Sequence, residues 1–215
     1  MNGGGPSRGW AVAGKQGPVV LVTSVGAASG ARAAAAALAR AASEPDRAAL
    51  LIDLDGGRAP RPSLISTSGA RALEERLVAH MPDAAVASRG PVCHLKLPAD
   101  PEGIEGIATA LPLVRESAGV IHLPPRLLRP ALEETRVQAT AALLRADLAE
   151  DRALTALAAR DLMARGLRVA VLKRPLGWLA KRAALLGMLP AEERSLPGRA
   201  CRRLLAAEDS RPQVS

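Results

Sequence analysis

Short apolar runs alternate with longer stretches of helical periodicity along most of this chain. The apolar runs fall at residues 19–23, 49–54, 92–97, 119–123, 141–144 and 168–172. Each is continuous rather than alternating, which is the pattern of strands buried on both faces of a sheet. Between them, residues 30–42, 70–80, 101–117, 151–165, 178–186 and 198–207 carry helical spacing. Asp100 stands ready to cap the helix that opens at Pro101, where a missing N–H costs nothing. Gly166 sits where the helix before residues 168–172 must stop. Strand–helix alternation of this kind predicts a single α/β domain, a mainly parallel sheet with helices on both faces, doubly wound. No internal repeat is visible. Residues 1–17, rich in glycine, are expected to form a flexible N-terminal tail, residues 18–207 the domain, and residues 208–215 a C-terminal tail.

The first strand–helix junction carries the candidate chemistry. Val19-Val20-Leu21-Val22-Thr23-Ser24 leads into Val25-Gly26-Ala27-Ala28-Ser29-Gly30-Ala31-Arg32, followed by a long alanine helix. A strand, a small-residue turn and a helix N-terminus together aim backbone N–H groups at a phosphate. A working loop of the form G-x-x-x-x-G-K-[ST] also needs a lysine for the phosphates and a hydroxyl for Mg²⁺. Ala31 and Arg32 stand in those places. The scaffold is that of a nucleotide site and the chemistry is missing from it.

Composition narrows the reading. The 215 residues include no Phe or Tyr and two Trp, although 48% are hydrophobic, so the core must be built from Ala, Leu, Val and Ile. The net charge of +8 leaves nucleic acid, an anionic membrane surface or an acidic partner open, but most arginines are scattered over helices as a solvated face. No aromatic residues interleave with the basic ones, as a single-strand-binding surface requires. No apolar run approaches the roughly 20 residues that span a bilayer, and the glycine-rich N-terminus does not resemble a secretory signal. Cys93 and Cys201 are far apart and form no metal or redox motif. A cytoplasmic protein without cofactor or metal is the expectation.

Taken in order, these segments resemble the MinD/ParA group of P-loop ATPases, including the CpaE/TadZ-type proteins of pilus assembly. The likeness rests on Val22-Thr23-Ser24 entering the loop and on Leu50-Leu51-Ile52-Asp53-Leu54-Asp55-Gly56. It continues through Gly119-Val120-Ile121-His122-Leu123-Pro124-Pro125, Val169-Ala170-Val171-Leu172-Lys173-Arg174 and Leu186-Gly187-Met188-Leu189-Pro190. The resemblance implies a P-loop NTPase-like fold. It also implies that the family's signature lysine falls on Gly26, its loop lysine on Ala31 and its Mg²⁺-binding hydroxyl on Arg32. The Asp that supports Mg²⁺ falls on His122 and the adenine-reading Asn on Lys173. Phosphoryl transfer depends on positioning and charge neutralisation, so losing these parts together predicts a pseudo-ATPase.

Asp53 and Asp55 remain; in the family the second of such a pair helps to position the attacking water, and here it reads more simply as a strand-end turn residue. Arg32 opens a helix, where a cation is disfavoured by the macrodipole. It is expected either to hold an anion with the loop N–H groups, to point to solvent, or to pair with Asp55. Thr23, Ser24 and Ser29 are explained by small size and backbone hydrogen bonds. His80, His94 and His122 lack ligand spacing, and the adjacent Cys93 and His94 must point to opposite sheet faces. The segment 198–207, with Arg199, Arg202 and Arg203, is expected to pack on the domain, with weak peripheral membrane contact as the alternative. The function expected is that of a binding or scaffolding protein in spatial organisation, through a protein partner or a homodimer. The alternatives are an ATPase or phosphotransferase using Arg32, and a basic DNA-binding protein.

Overall fold

The computed structural model of the protein describes residues 17–25, 30–44, 47–54, 65–114, 117–134, 136–146, 152–173 and 204–205. Its elements are β1 (Val19–Ser24), α1 (Ala31–Ala42), β2 (Ala49–Asp53), α2 (Ser68–His80), β3 (Ala85–Arg89) and β4 (Val92–Lys96). They continue with α3 (Pro101–Ala110), β5 (Gly119–His122), α4 (Pro125–Glu133), β6 (Ala141–Ala146), α5 (Arg152–Ala164) and β7 (Arg168–Lys173). One seven-stranded sheet has the order β3-β4-β2-β5-β1-β6-β7, and every neighbouring pair is parallel except β3 with β4. The fold is α/β and doubly wound.

The six parallel strands are the six apolar runs. Continuous burial explains the pattern: all five residues of β2 and all four of β5 are buried, because helices cover both sides of them. On one face Leu21, Leu50, Ile52, Leu95, Ile121 and Leu144 pack against α2, α3, α4 and α5. On the other, Val20, Val22, Leu51, Val120 and Leu143 meet α1. α1 brings mostly alanine methyls to that contact, with Leu38 its one large fully buried side chain. Emptying that position (Leu38→Ala) is expected to cost about 2–5 kcal/mol. Leu204 is also fully buried on this face and Leu205 packs beside it, so the described part of segment 198–207 packs on the domain.

Two local signals act as expected, and a third residue sets a helix start. Asp100 accepts the Gly103 N–H at 3.1 Å and starts α3. Gly166, at φ +83°, closes α5 with paired bonds from Gly166 N–H to Met163 C=O and from Leu167 N–H to Leu162 C=O. Gly30, at φ +89°, is the residue from which α1 begins, a backbone that a side chain would strain.

Two elements depart from the sequence reading, and a third is shorter. β3 is an antiparallel edge strand, half-buried and too mixed in character to announce itself. α4 occupies a stretch punctuated by Pro124, Pro125 and Pro130. Pro125 is harmless in a first turn, but Pro130 removes an interior N–H, which is why the segment does not read as helical. The helix expected over 101–117 ends at Ala110 and tightens into a 3₁₀ turn at Leu111–Val114. Helix expectations over 178–186 and most of 198–207, and both tails apart from Gly17, lie outside the described residues.

Candidate functional site

Parallel register builds the site at the C-terminal ends of the central strands. Asp53 is the last residue of β2; its register partners are His122 on β5 and Lys96 on β4. Side chains in register project from the same face about 4.8 Å apart. That face is the α1 face, since Leu51 and Val120, two residues earlier, belong to the core under α1. The first turn of α1 then lowers Arg32 onto the same spot.

Asp53 is held from both sides. Arg32 Nε donates to Asp53 Oδ2 at 2.8 Å, and His122 Nδ1 donates to Asp53 Oδ1 at 2.8 Å. A carboxylate only accepts, so His122 carries its proton on Nδ1. His122 and Asp53 are buried, whereas the Arg32 side chain is 49% exposed. The carboxylate thus compensates the cation that the helix macrodipole disfavours at this position. Arg32 was expected to meet an anion, solvent or Asp55; half exposed, it meets Asp53, which the register places under the first turn of α1, while Asp55 lies outside the described residues.

The other candidates sort by position. Val25 is buried and its N–H donates to the Arg145 carbonyl at 2.7 Å, tying the loop entrance to β6. Ala31 is only 5% exposed and packs into the α1 core, so its methyl faces the sheet and not the crevice. Lys173 ends β7, with β1 and β6 between it and β5. At sheet spacing its backbone is about 14 Å from that of His122. Gly26, Ala27, Ala28, Ser29 and Asp55 lie outside the described residues.

Two basic residues at this end escaped the sequence reading. Lys96, in register with Asp53, has its ammonium out of solvent contact and without a hydrogen-bond partner among the described residues. Arg145, in register with Ser24, brings its Nε to 3.9 Å from where a Cβ on Gly30 would lie. The signal was available: a charged residue closing or following an apolar run marks the strand end that faces the crevice. Thr23 corrects another expectation, because its hydroxyl is buried and makes no hydrogen bond among the described residues. Burial and then the charges of Arg89 and Arg40 hold His94 below its ordinary range; Arg32 adds to this and Asp53 opposes it. Cys93 points to the opposite face as expected, where burial and the Glu74 carboxylate push its thiol up to about 12. Among the described residues, no three His, Cys, Asp or Glu side chains are grouped to hold a metal, and no helix is long and apolar enough to cross a membrane.

No protein-family model matches the chain, and no curated protein sequence does. Solved structures do. The chain is similar to a plasmid partition protein of Borrelia burgdorferi at 15% identity, over 89% of this chain and 97% of that one, with a TM-score of 0.48. It is similar to the MinC:MinD cell division protein complex of Aquifex aeolicus at 18% identity, over 89% of this chain and 78% of that one, also at 0.48. A putative plasmid partition protein of Borrelia burgdorferi B31 bound to AMPPNP matches at 13% identity, over 89% and 97%, again at 0.48.

Proposed function

We propose that this chain is a catalytically inactive relative of the MinD/ParA-type ATPases that acts as a binding or scaffolding protein in spatial organisation. Localisation of a pilus or secretion system, or cell division, is the process it would serve. The observation that carries the reading is the double hold on Asp53. A Mg²⁺–nucleotide site of this type needs a lysine at the loop, a hydroxyl and a carboxylate for the metal. In their places stand a methyl packed against the sheet (Ala31), a guanidinium (Arg32) and an imidazole (His122). Asp53 engages both of these cationic or donor groups. The residues present do not fit Mg·ATP.

Without a nucleotide to drive association, such a protein works by constant binding, in the cytoplasm, to a protein partner or to a second copy. The small uncharged loop sequence Val25-Gly26-Ala27-Ala28 favours a nucleotide-independent contact, because no lysines repel one another across it. Titration calorimetry with ATP and Mg²⁺ is expected to show no binding tighter than the millimolar range. A micromolar dissociation constant would overturn the reading. Restoring Ala31→Lys with Arg32→Thr is expected to give no turnover, because His122 still supplies no carboxylate. Light scattering with and without ATP, on wild type and Ala27→Arg, separates self-association through the loop from recruitment of a different protein.

A further inference from the structure

The last residue of β4 carries a charge that the fold leaves unanswered. The Lys96 ammonium is out of solvent contact and has neither a hydrogen-bond nor an ion-pair partner among the described residues. Its register partner Asp53 does not serve, because both carboxylate oxygens are engaged, Oδ2 by Arg32 and Oδ1 by His122. On the other side β3 places Ala85, which has nothing to offer a cation. An ammonium withdrawn from water without a counter-charge is costly, and a buried polar group without a protein partner calls for an ion or a water. A water satisfies the N–H groups but leaves the charge; an anion satisfies both.

The surroundings have the same sign. Register puts Ala85, Ala87 and Arg89 of β3 and Val92, His94 and Lys96 of β4 on one face of the sheet. Asp53 and His122 share that face. α1 packs over β1, β2 and β5 there, with Arg32 and Arg40 along its length. Burial, then the charges of Arg89, Arg40 and Arg32, hold His94 below its ordinary 6.5, with Asp53 alone in opposition. His94 is therefore neutral at pH 7 and keeps one ring N–H, which no hydrogen bond among the described residues uses. This is not the scattered charge of the solvated helices: the central cation is buried, and the one carboxylate opposing the three arginines is already paired.

We propose that the β3–β4 side of this face, at Lys96 and His94, binds a small phosphate-class oxyanion, either free or as the ester of a small molecule. Lys96 supplies the charge and up to three donors, His94 supplies one neutral N–H, and Arg89 raises the potential from the sheet edge. A phosphate carries about −1.5 to −2 at pH 7 on several acceptor oxygens, so it meets the ammonium and the imidazole together. A carboxylate brings one charge and leaves more of the positive field uncompensated. Ala85 and Ala87, paired with Lys96 and His94, add little bulk beside them. β2 and β5 separate β4 from β1, so this site lies about 14 Å of sheet from the strand that feeds the loop. It stands whether or not the chain is a pseudo-ATPase.

The test is calorimetric titration of the full-length protein with inorganic phosphate in Tris chloride, beside thermal melts of variants. Wild type is expected to bind phosphate saturably with a dissociation constant below about 1 mM. At a hundredfold excess over that constant its melting temperature should rise by about 5–11 °C. Lys96→Met is expected to weaken binding at least about tenfold and His94→Ala about two- to tenfold. In Tris chloride alone, Lys96→Met is expected to melt about 2–12 °C above wild type, because it removes an uncompensated buried charge. Arg32→Ala is expected to bind as wild type does. Methyl phosphate that competes with phosphate supports an ester as the ligand, and failure to compete supports the free ion. Wild type that binds only above the millimolar range would leave an adventitious ion only and overturn the proposal, whatever the variants do. Equal melting increments in wild type and Lys96→Met would mean general salt stabilisation, and equal affinity for succinate would remove the phosphate class. Binding lost in Arg32→Ala but kept in Lys96→Met would move the anion to the loop. A Lys96→Met protein less stable than wild type without phosphate would show that the chain itself pairs Lys96, and would equally sink the site. The ATP titration decides the pseudo-ATPase reading separately.

Discussion

Replacing Asp53 by alanine tests the geometry on which the functional reading stands. The change strands two groups unequally. His122 Nδ1 is buried, and it loses a hydrogen bond to a charged acceptor at 2.8 Å. Such a bond contributes about 1.5–3 kcal/mol. Arg32 loses an ion pair, but its side chain is half exposed and water replaces the carboxylate, so that part is worth about 0–1 kcal/mol. The sum is about 1.5–4 kcal/mol. For a domain of this size each kcal/mol moves the melting temperature by about 2–4 °C, so a drop of about 3–16 °C is expected. Urea denaturation followed by far-UV circular dichroism should show a lower midpoint with an unchanged slope. Asp53→Asn keeps an acceptor for His122 and is expected to cost about half as much, and Arg32→Ala no more than about 1 kcal/mol. If Asp53→Ala costs less than about 0.5 kcal/mol, within the range of ordinary surface changes, the buried bond to His122 is not what holds the site. If Arg32→Ala costs as much as Asp53→Ala, the division of roles between the two partners is wrong.

Sulfate is expected to raise the melting temperature of wild type and Arg32→Ala by the same increment, because Asp53 already satisfies Arg32; an Arg32-dependent increment would restore an anion site at the loop. Gly30→Ala must place a side chain at φ +89° and is expected to cost about 1–2 kcal/mol in urea denaturation, so a neutral result would mean that α1 starts differently. In a Cys201→Ser background, Cys93 should resist Ellman's reagent in the native protein at pH 8 and react fully in denaturant, since burial and Glu74 raise its thiol to about 12. His94 is held below its ordinary value of 6.5 in the folded state, so the unfolded chain binds the proton more readily. Its contribution to stability is level above about pH 6.5 and declines as pH falls through 6.5 toward the lowered native value. Denaturation midpoints of wild type and His94→Gln should therefore converge at acidic pH relative to neutral, and parallel profiles would refute the assignment.

How much could be read in advance depends on whether an element is specified locally. The six parallel strands were legible because burial on both faces leaves no polar position in a run such as Leu50-Leu51-Ile52. Asp100 and Gly166 marked their helix ends because capping is a matter of two or three neighbouring residues. β3 and α4 were not legible. β3 exists because β4 offers an antiparallel edge, and α4 exists although Pro130 opposes it, with Leu127 and Ala131 buried against the core. In both cases tertiary contact outweighs local preference.

The sequence by itself determined the six parallel strands, each the property of one short run. Only the tertiary structure decided what the surviving carboxylate does. Asp53 and His122 are 69 positions apart, and whether they meet depends on the register of β2 with β5. A shift of one residue in that register would turn one side chain to the opposite face relative to the other. Arg32 reaches the same carboxylate only because α1 packs on that face through its alanines. Ion pairs between distant residues are set by strand register and helix placement, which depend on the packing of the whole sheet.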